Sequence, residues 1–138
     1  MIDSSVLAVL FVANSFMPAT FLKAYDGDTI TVNLACNLDV FCKAISVRLR
    51  GIDTPELRTK SVCEKKLAVE ARNFVRTELF GKTLQLGDVA RGKYFRLVAD
   101  VKYRGKDLKR ELLKRDYGVP YDGKKKMSVD WCLFLKKK

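Results

Sequence analysis

The chain has no histidine in its 138 residues. Imidazole is the common proton shuttle near neutral pH and a common zinc ligand. Its absence excludes paired-histidine ribonuclease chemistry, Ser-His-Asp catalysis and histidine-held zinc. The four cysteines form no Cys-x-x-Cys pair, which argues against a structural zinc site as well. Acidic residues are the minority, 16 against 27 basic, and leave a formal charge of +11. A field of that sign attracts polyanions and speeds their encounter at low salt. Alone it identifies nothing, because ribosomal proteins, architectural DNA binders and membrane-active peptides share it. No internal repeat is visible, and the length suits one domain that buries about two thirds of its unfolded surface.

Against that basic background a few acids stand together: Asp26-Gly27-Asp28-Thr29, then Arg48, then Asp53-Thr54-Pro55-Glu56. Each piece has an ordinary explanation. Asp-Gly between apolar stretches makes a hairpin turn, and Asp-Thr-Pro-Glu makes a loop with solvated acids. The conjunction asks for more. Asp26 and Asp28, two residues apart, point to one face of the following strand. Asp28, Asp53 and a nearby carbonyl are hard oxygen donors suited to Ca²⁺ or Mg²⁺, with positions left for water and a phosphate oxygen. Glu56 is then free to act as a base, and the planar guanidinium of Arg48 matches phosphate oxygens. Metal, base and anion clamp are the parts that phosphodiester hydrolysis requires.

Tyr25-Asp26-Gly27-Asp28-Thr29 and Val47-Arg48-Leu49-Arg50-Gly51-Ile52-Asp53-Thr54-Pro55-Glu56 resemble the signature of the staphylococcal (micrococcal) nuclease family, the thermonuclease-like domains. Lys93-Tyr94-Phe95-Arg96 is similar to the family's Lys-Tyr-Gly-Arg segment, and the stretch from Gly105 to Leu113 to its second helix. The resemblance spans residues 19 to 123 and keeps the family's order. It implies that Asp28 and Asp53 bind calcium by side chain and Thr54 by its carbonyl. It makes Glu56 the general base and Arg48 and Arg96 the clamp on the phosphoryl oxygens, with Asp26 behind the metal ligands. Lys93, Tyr94 and Tyr121 take positions that contact nucleotide. The activity implied is endonucleolytic cleavage of DNA and RNA, with little sequence preference, to 3′-phosphate ends. Two positions depart from the pattern: Phe95 stands where the family has glycine, and Lys109-Arg110 where it often has Asn-Glu. A side chain at 95 resists backbone angles open to glycine, which bears on where Arg96 points.

Apolar alternation predicts five strands, near 19–25, 29–35, 45–50, 83–88 and 95–103. Helical spacing of Leu67, Ala71, Phe74, Val75 and Leu79 predicts a helix over Cys63–Phe80, with a second over Asp107–Arg115. A third is expected to pack Trp131, although a basic tail is the alternative for that segment. Three strands, a helix, two strands and further helices make an α+β chain built on a five-stranded OB-type β-barrel. If Val47 and Leu49 face its core, Arg48 faces away.

Residues 1–18 are expected to be a signal peptide or N-terminal extension, and 19–138 the barrel domain. Val6–Val12 is an unbroken apolar run, too short to span a bilayer, and the Ala13-Asn14-Ser15 that follows resembles a small-residue cleavage site, although no basic n-region precedes it. Secretion or a periplasmic location is the first expectation and the cytoplasm the second. The partners are DNA and RNA, the chain a monomer, and no stable membrane association is expected after processing. Cys36, Cys42, Cys63 and Cys132 admit three pairings, or free thiols, and the sequence leaves the choice open. The rival function is a non-catalytic OB-type module that binds nucleic acid or protein. Such a module has no need of acids that repel phosphate.

Overall fold

A computed structural model describes residues 16–138. The chain runs β1 (Met17–Ala24), β2 (Thr29–Leu34), the one-turn helix α1 (Asp39–Cys42), β3 (Ile45–Leu49), β4 (Ile52–Asp53), the long helix α2 (Val62–Leu79), β5 (Thr83–Arg91), β6 (Leu97–Tyr103), β7 (Lys106–Asp107), α3 (Leu108–Lys114), β8 (Val119–Pro120) and α4 (Trp131–Lys136). Alternation decides which strand faces turn inward: Ile30 and Val32 on β2, Leu84 and Leu86 on β5, and Ala99, Val101 and Tyr103 on β6 are all buried. The pairing order is β3-β2-β1-β5-β6, and a parallel ladder from Val47↔Leu97 to Leu49↔Ala99 joins β3 to β6. The five strands therefore close into a barrel, as expected of an OB-type α+β fold. Register shifts between Phe21 and Lys23 and between Gly87 and Ala90 supply the bends that closure requires.

Helix α2 starts where Ser61 accepts the Glu64 N–H at 3.2 Å. Its stripe of Leu67, Ala68, Ala71, Val75 and Leu79 is fully buried, so the helix covers the barrel with its apolar face. Asp107 caps α3 by accepting from the N–H groups of Lys109 and Arg110, which leaves the departure at 109–110 with an ordinary place in a first turn. Trp131 is buried at the start of α4, so the third expected helix is a packed element. Cys36 pairs with Cys42, closing the insertion that carries α1, and Cys63 pairs with Cys132, joining α4 to the first turn of α2. The apolar run Val6–Val12 and the residues after it, through Ser15, lie outside the described residues.

Strand β8 approaches β4 closely enough to pair Asp53 with Val119, and Gly118 makes that approach achievable. A Cβ there would sit 2.7 Å from Ile52 Cδ1 and 3.0 Å from the carbonyl oxygen of Asp53. Ile52 is fully buried and has little room to yield. Gly118→Ala should therefore lower stability by about 1–3 kcal/mol, measured by urea unfolding. An unchanged midpoint would show that the β4–β8 pair tolerates separation.

Candidate active site

The turn after β1 is shaped by its own acids. The Tyr25 N–H donates to Thr29 O at 2.9 Å, and the Asp28 N–H to Asp26 Oδ1 at 3.1 Å. Gly27 lets this turn press on the rest of the site, since a Cβ would lie 3.1 Å from the Thr54 side chain and 3.2 Å from Ala71 Cβ. That closeness brings Asp28 and Thr54 together. Asp28 Oδ2 accepts from the Thr54 N–H at 3.0 Å and from its hydroxyl at 2.9 Å, while Thr29 donates to Oδ1 at 3.0 Å. Asp53 comes from β4, next to Thr54 in the chain.

Arg48 sits opposite Thr29 in the β2–β3 ladder, on the side of β3 away from the core. It points away from the core as the alternation predicts, but it is not solvated: the residue is 9% exposed. Its Nη1 lies 3.4 Å from Asp28 Oδ2 and donates to Leu49 O at 2.8 Å; its Nη2 lies 3.9 Å from Asp53 Oδ1. The Tyr121 ring lies beside it, 5.9 Å from the guanidinium carbon. One side chain thus touches both acids expected to hold metal.

Asp26, Asp28, Arg48, Glu56, Arg96 and Tyr121 border one cavity of about 320 Å³. A neighbouring cavity of about 380 Å³ shares Arg48, Arg96 and Tyr121 and adds Lys93 and Arg50. Asp53 and Thr54 border neither; Asp53 lines a separate cavity and meets Arg48, and Thr54 is bonded to Asp28. Tyr94 borders neither cavity; it stands exposed with Phe95 on the β5–β6 connection. Both residues adopt left-handed backbone, φ 58° and 60°, so Phe95 takes a conformation that glycine would adopt at lower cost, and Arg96 still reaches the cavity.

Burial and like charge govern the electrostatics. Burial, and then the neighbouring Asp28, push the Asp26 carboxyl up to about 7. Burial also raises Asp53, against the opposing pull of the Lys126 ammonium. Acids and cations are crowded together here: Asp26, Asp28 and Glu56 border the same cavity as Arg48, Arg58, Arg96 and Lys126. Unused donors coexist with these acids: Arg48 Nη2 and Arg96 Nε are buried without a hydrogen-bond partner. Lys126 Nζ meets Asp53 Oδ1 as an ion pair at 3.2 Å and donates to Glu56 Oε1 at 2.9 Å. Sequence reasoning missed Lys126, which sits inside a run of three lysines with no feature to distinguish it.

The staphylococcal nuclease homologue profile matches residues 46–130, more than half of the chain. The chain belongs to that family. A probable endonuclease of Schizosaccharomyces pombe is 33% identical over 92 residues, and probable endonucleases named LCL3 from Eremothecium gossypii and Aspergillus fumigatus are each 32% identical over 90 and 91 residues. These alignments cover 62%, 62% and 59% of the chain, and 40%, 33% and 31% of the relatives. The chain therefore spans well under half the length of the curated relatives it matches.

Asp26 has a consequence for stability. Its folded pKa lies well above the ordinary aspartate value of 3.8, so between about pH 4 and 7 the folded state holds a proton that the unfolded chain has released. The stability that this proton supports is complete below pH 4 and is lost as pH rises through 7. In calcium-free buffer Asp26→Asn, which keeps an acceptor for the Asp28 N–H, should match the parent near pH 4. By pH 8 it should exceed the parent by on the order of 2 kcal/mol in chemical denaturation. A constant difference across that range would place the charge elsewhere.

Proposed function

We propose that the chain is a calcium-dependent endonuclease that hydrolyses phosphodiester bonds of DNA and RNA with little sequence preference. The observation that carries this reading is the meeting, around one cavity, of two arginines with unsatisfied donors and the buried carboxylates of Asp26 and Asp28, with Glu56 at its edge. A bound anion alone would be repelled by the acids, and a bound cation alone would leave the arginines idle. A metal–phosphate pair satisfies both. Among the described residues no three acidic side chains form a ready-made cage. Asp28 and Asp53 would hold the ion with the carbonyl of Thr54, leaving positions for water and substrate. Asp53 Oδ1, buried and met only by ion-pair contacts from Lys126 and Arg48, and the upward shifts of Asp26 and Asp53 fit such a hard cation. When bound, calcium would offset the charge of the phosphodiester and lower the cost of bringing a nucleophile to it.

The protein's own groups do the rest. Glu56, half exposed at the cavity edge, takes the proton from a water attacking phosphorus in line with the 5′-oxygen. Arg48 and Arg96 donate to the non-bridging oxygens as charge accumulates there. Guanidinium suits this role because it stays protonated and presents paired donors. The phosphorus–O5′ bond breaks, the departing 5′-oxygen takes a proton from solvent water while Glu56 returns its own to solvent, and the products are a 3′-phosphate and a 5′-hydroxyl. Tyr121 beside Arg48, and the exposed Tyr94 with Lys93, would stack on and neutralise an unpaired strand. Asp26 acts from behind, orienting the backbone of Asp28. We further propose that the protein works as a monomer in a secreted or periplasmic setting, a location that two cysteine pairs support.

Digestion of plasmid DNA with calcium, with chelator and with Glu56→Gln tests the reading. The chelator should abolish cleavage, and Glu56→Gln should slow it by about 10²–10⁴-fold with little change in thermal midpoint, since Glu56 is exposed. Undiminished cleavage by the variant would remove Glu56 from the base position. Binding of nucleic acid by the parent without any cleavage would favour the non-catalytic module. Arg48→Lys keeps a charge beside Asp28 and Asp53 but loses the fork. It should cost more than about tenfold in rate while shifting the midpoint only modestly. A parallel fall in both would make Arg48 structural.

A further inference from the structure

A cation belonging to the chain stands between the acids assigned to metal and to base. Lys126 Nζ is 2.9 Å from Glu56 Oε1 and 3.2 Å from Asp53 Oδ1. Its side chain is 47% exposed, so packing does not hold it there. Lys126 lies in the segment 121–130, which runs along the site without helix or strand. That segment is fastened at both ends. At one end β8 pairs with β4, and the Tyr121 N–H donates to Gly51 O at 3.0 Å. At the other Trp131 is buried and Cys132 is bonded to Cys63. Between these anchors the segment rides over a cavity of about 510 Å³ bordered by Asp53, Pro120, Lys125, Met127 and Val129. The middle of the segment has little beneath it, and residues 122–128 are exposed.

An ammonium and a divalent ion cannot both sit against one carboxylate oxygen without strong mutual repulsion. An ammonium fastened on a segment anchored at both ends competes at a high effective concentration, whatever the bulk solution contains. We infer that residues 121–130 form a strap that holds Lys126 on Asp53 and Glu56 as an internal counter-cation, so that metal must displace this lysine to bind; the inference rests on the calcium reading of the site. In the absence of metal the strap keeps Glu56 engaged and partly neutralises Asp53. The lysine therefore sets how much divalent ion the site needs before it fills. The Cys63–Cys132 bond holds the far anchor, so opening it lowers the effective concentration of Lys126 and favours the ion.

Calorimetric titration of calcium into the full chain, without nucleic acid, separates these contributions. Lys126→Met should bind calcium about tenfold more tightly than the parent, the equivalent of losing two half-exposed charge contacts. The double variant Cys63→Ser/Cys132→Ser should shift binding in the same direction by a smaller factor, and should add nothing when combined with Lys126→Met. Equal or weaker binding by Lys126→Met, with binding lost in Asp53→Asn, would overturn the strap and leave the metal site standing. Lack of calcium binding by both parent and Lys126→Met would overturn the strap and the calcium reading together. Tighter binding by Lys126→Met with an unaltered double-serine variant would keep the competing lysine and remove the anchor from the account.

Discussion

Arg48 carries its guanidinium between Asp28 and Asp53, 3.4 Å from one carboxylate and 3.9 Å from the other, in a residue almost closed to solvent. Burying a charge is costly unless it is paired and hydrogen-bonded, and removing one partner from such a cluster leaves the others exposed to that cost. Several features of the fold depend on keeping this group of charges together. The parallel joint between β3 and β6 fixes the end of β3 that bears Arg48. The tight turn at Gly27 brings Asp28 onto Thr54, and the approach of β8, allowed by Gly118, holds Asp53 from the other side. The barrel and α2 thus serve as a rigid frame for charges that would otherwise separate.

Charges of both signs are crowded within that frame without being fully satisfied by one another. Asp26 holds its proton to about pH 7, and Asp53 is raised despite Lys126 nearby, while buried donors on Arg48 and Arg96 have no acceptor. A site that folds with buried acids and unused donors side by side is prepared for a ligand of mixed sign. Strained backbone at Tyr94 and Phe95, exposed beside these donors, is the kind of local cost that accumulates where binding is prepared.

The acidic motifs and the barrel strands were legible in the sequence because each follows a short-range rule. Alternation marks β2, β5 and β6, helical spacing marks α2, and Asp-Gly marks the turn that positions Asp28. Elements of two residues, such as β4, β7 and β8, carry no periodicity, and α1 is too short to show a helical face. The burial of Arg48 was hidden because alternation assigns a side chain to a face but does not say what covers that face. Lys126 was hidden for a different reason. Its role depends on contacts 70 residues away along the chain, and its neighbours Lys124 and Lys125 have the same chemistry. The cysteine pairing likewise depends on α4 folding back onto α2, across a separation of 69 residues.

The central claim is that Asp28 and Asp53 share one divalent ion while Arg48 and Arg96 hold a phosphate beside it. A crystal structure grown with calcium and a nucleoside 3′,5′-bisphosphate, with the ion located by anomalous scattering, measures this directly. The account predicts an anomalous peak in contact with both carboxylates and a phosphate oxygen on each guanidinium. A peak away from Asp28 and Asp53, or a phosphate bound without either arginine, would contradict it.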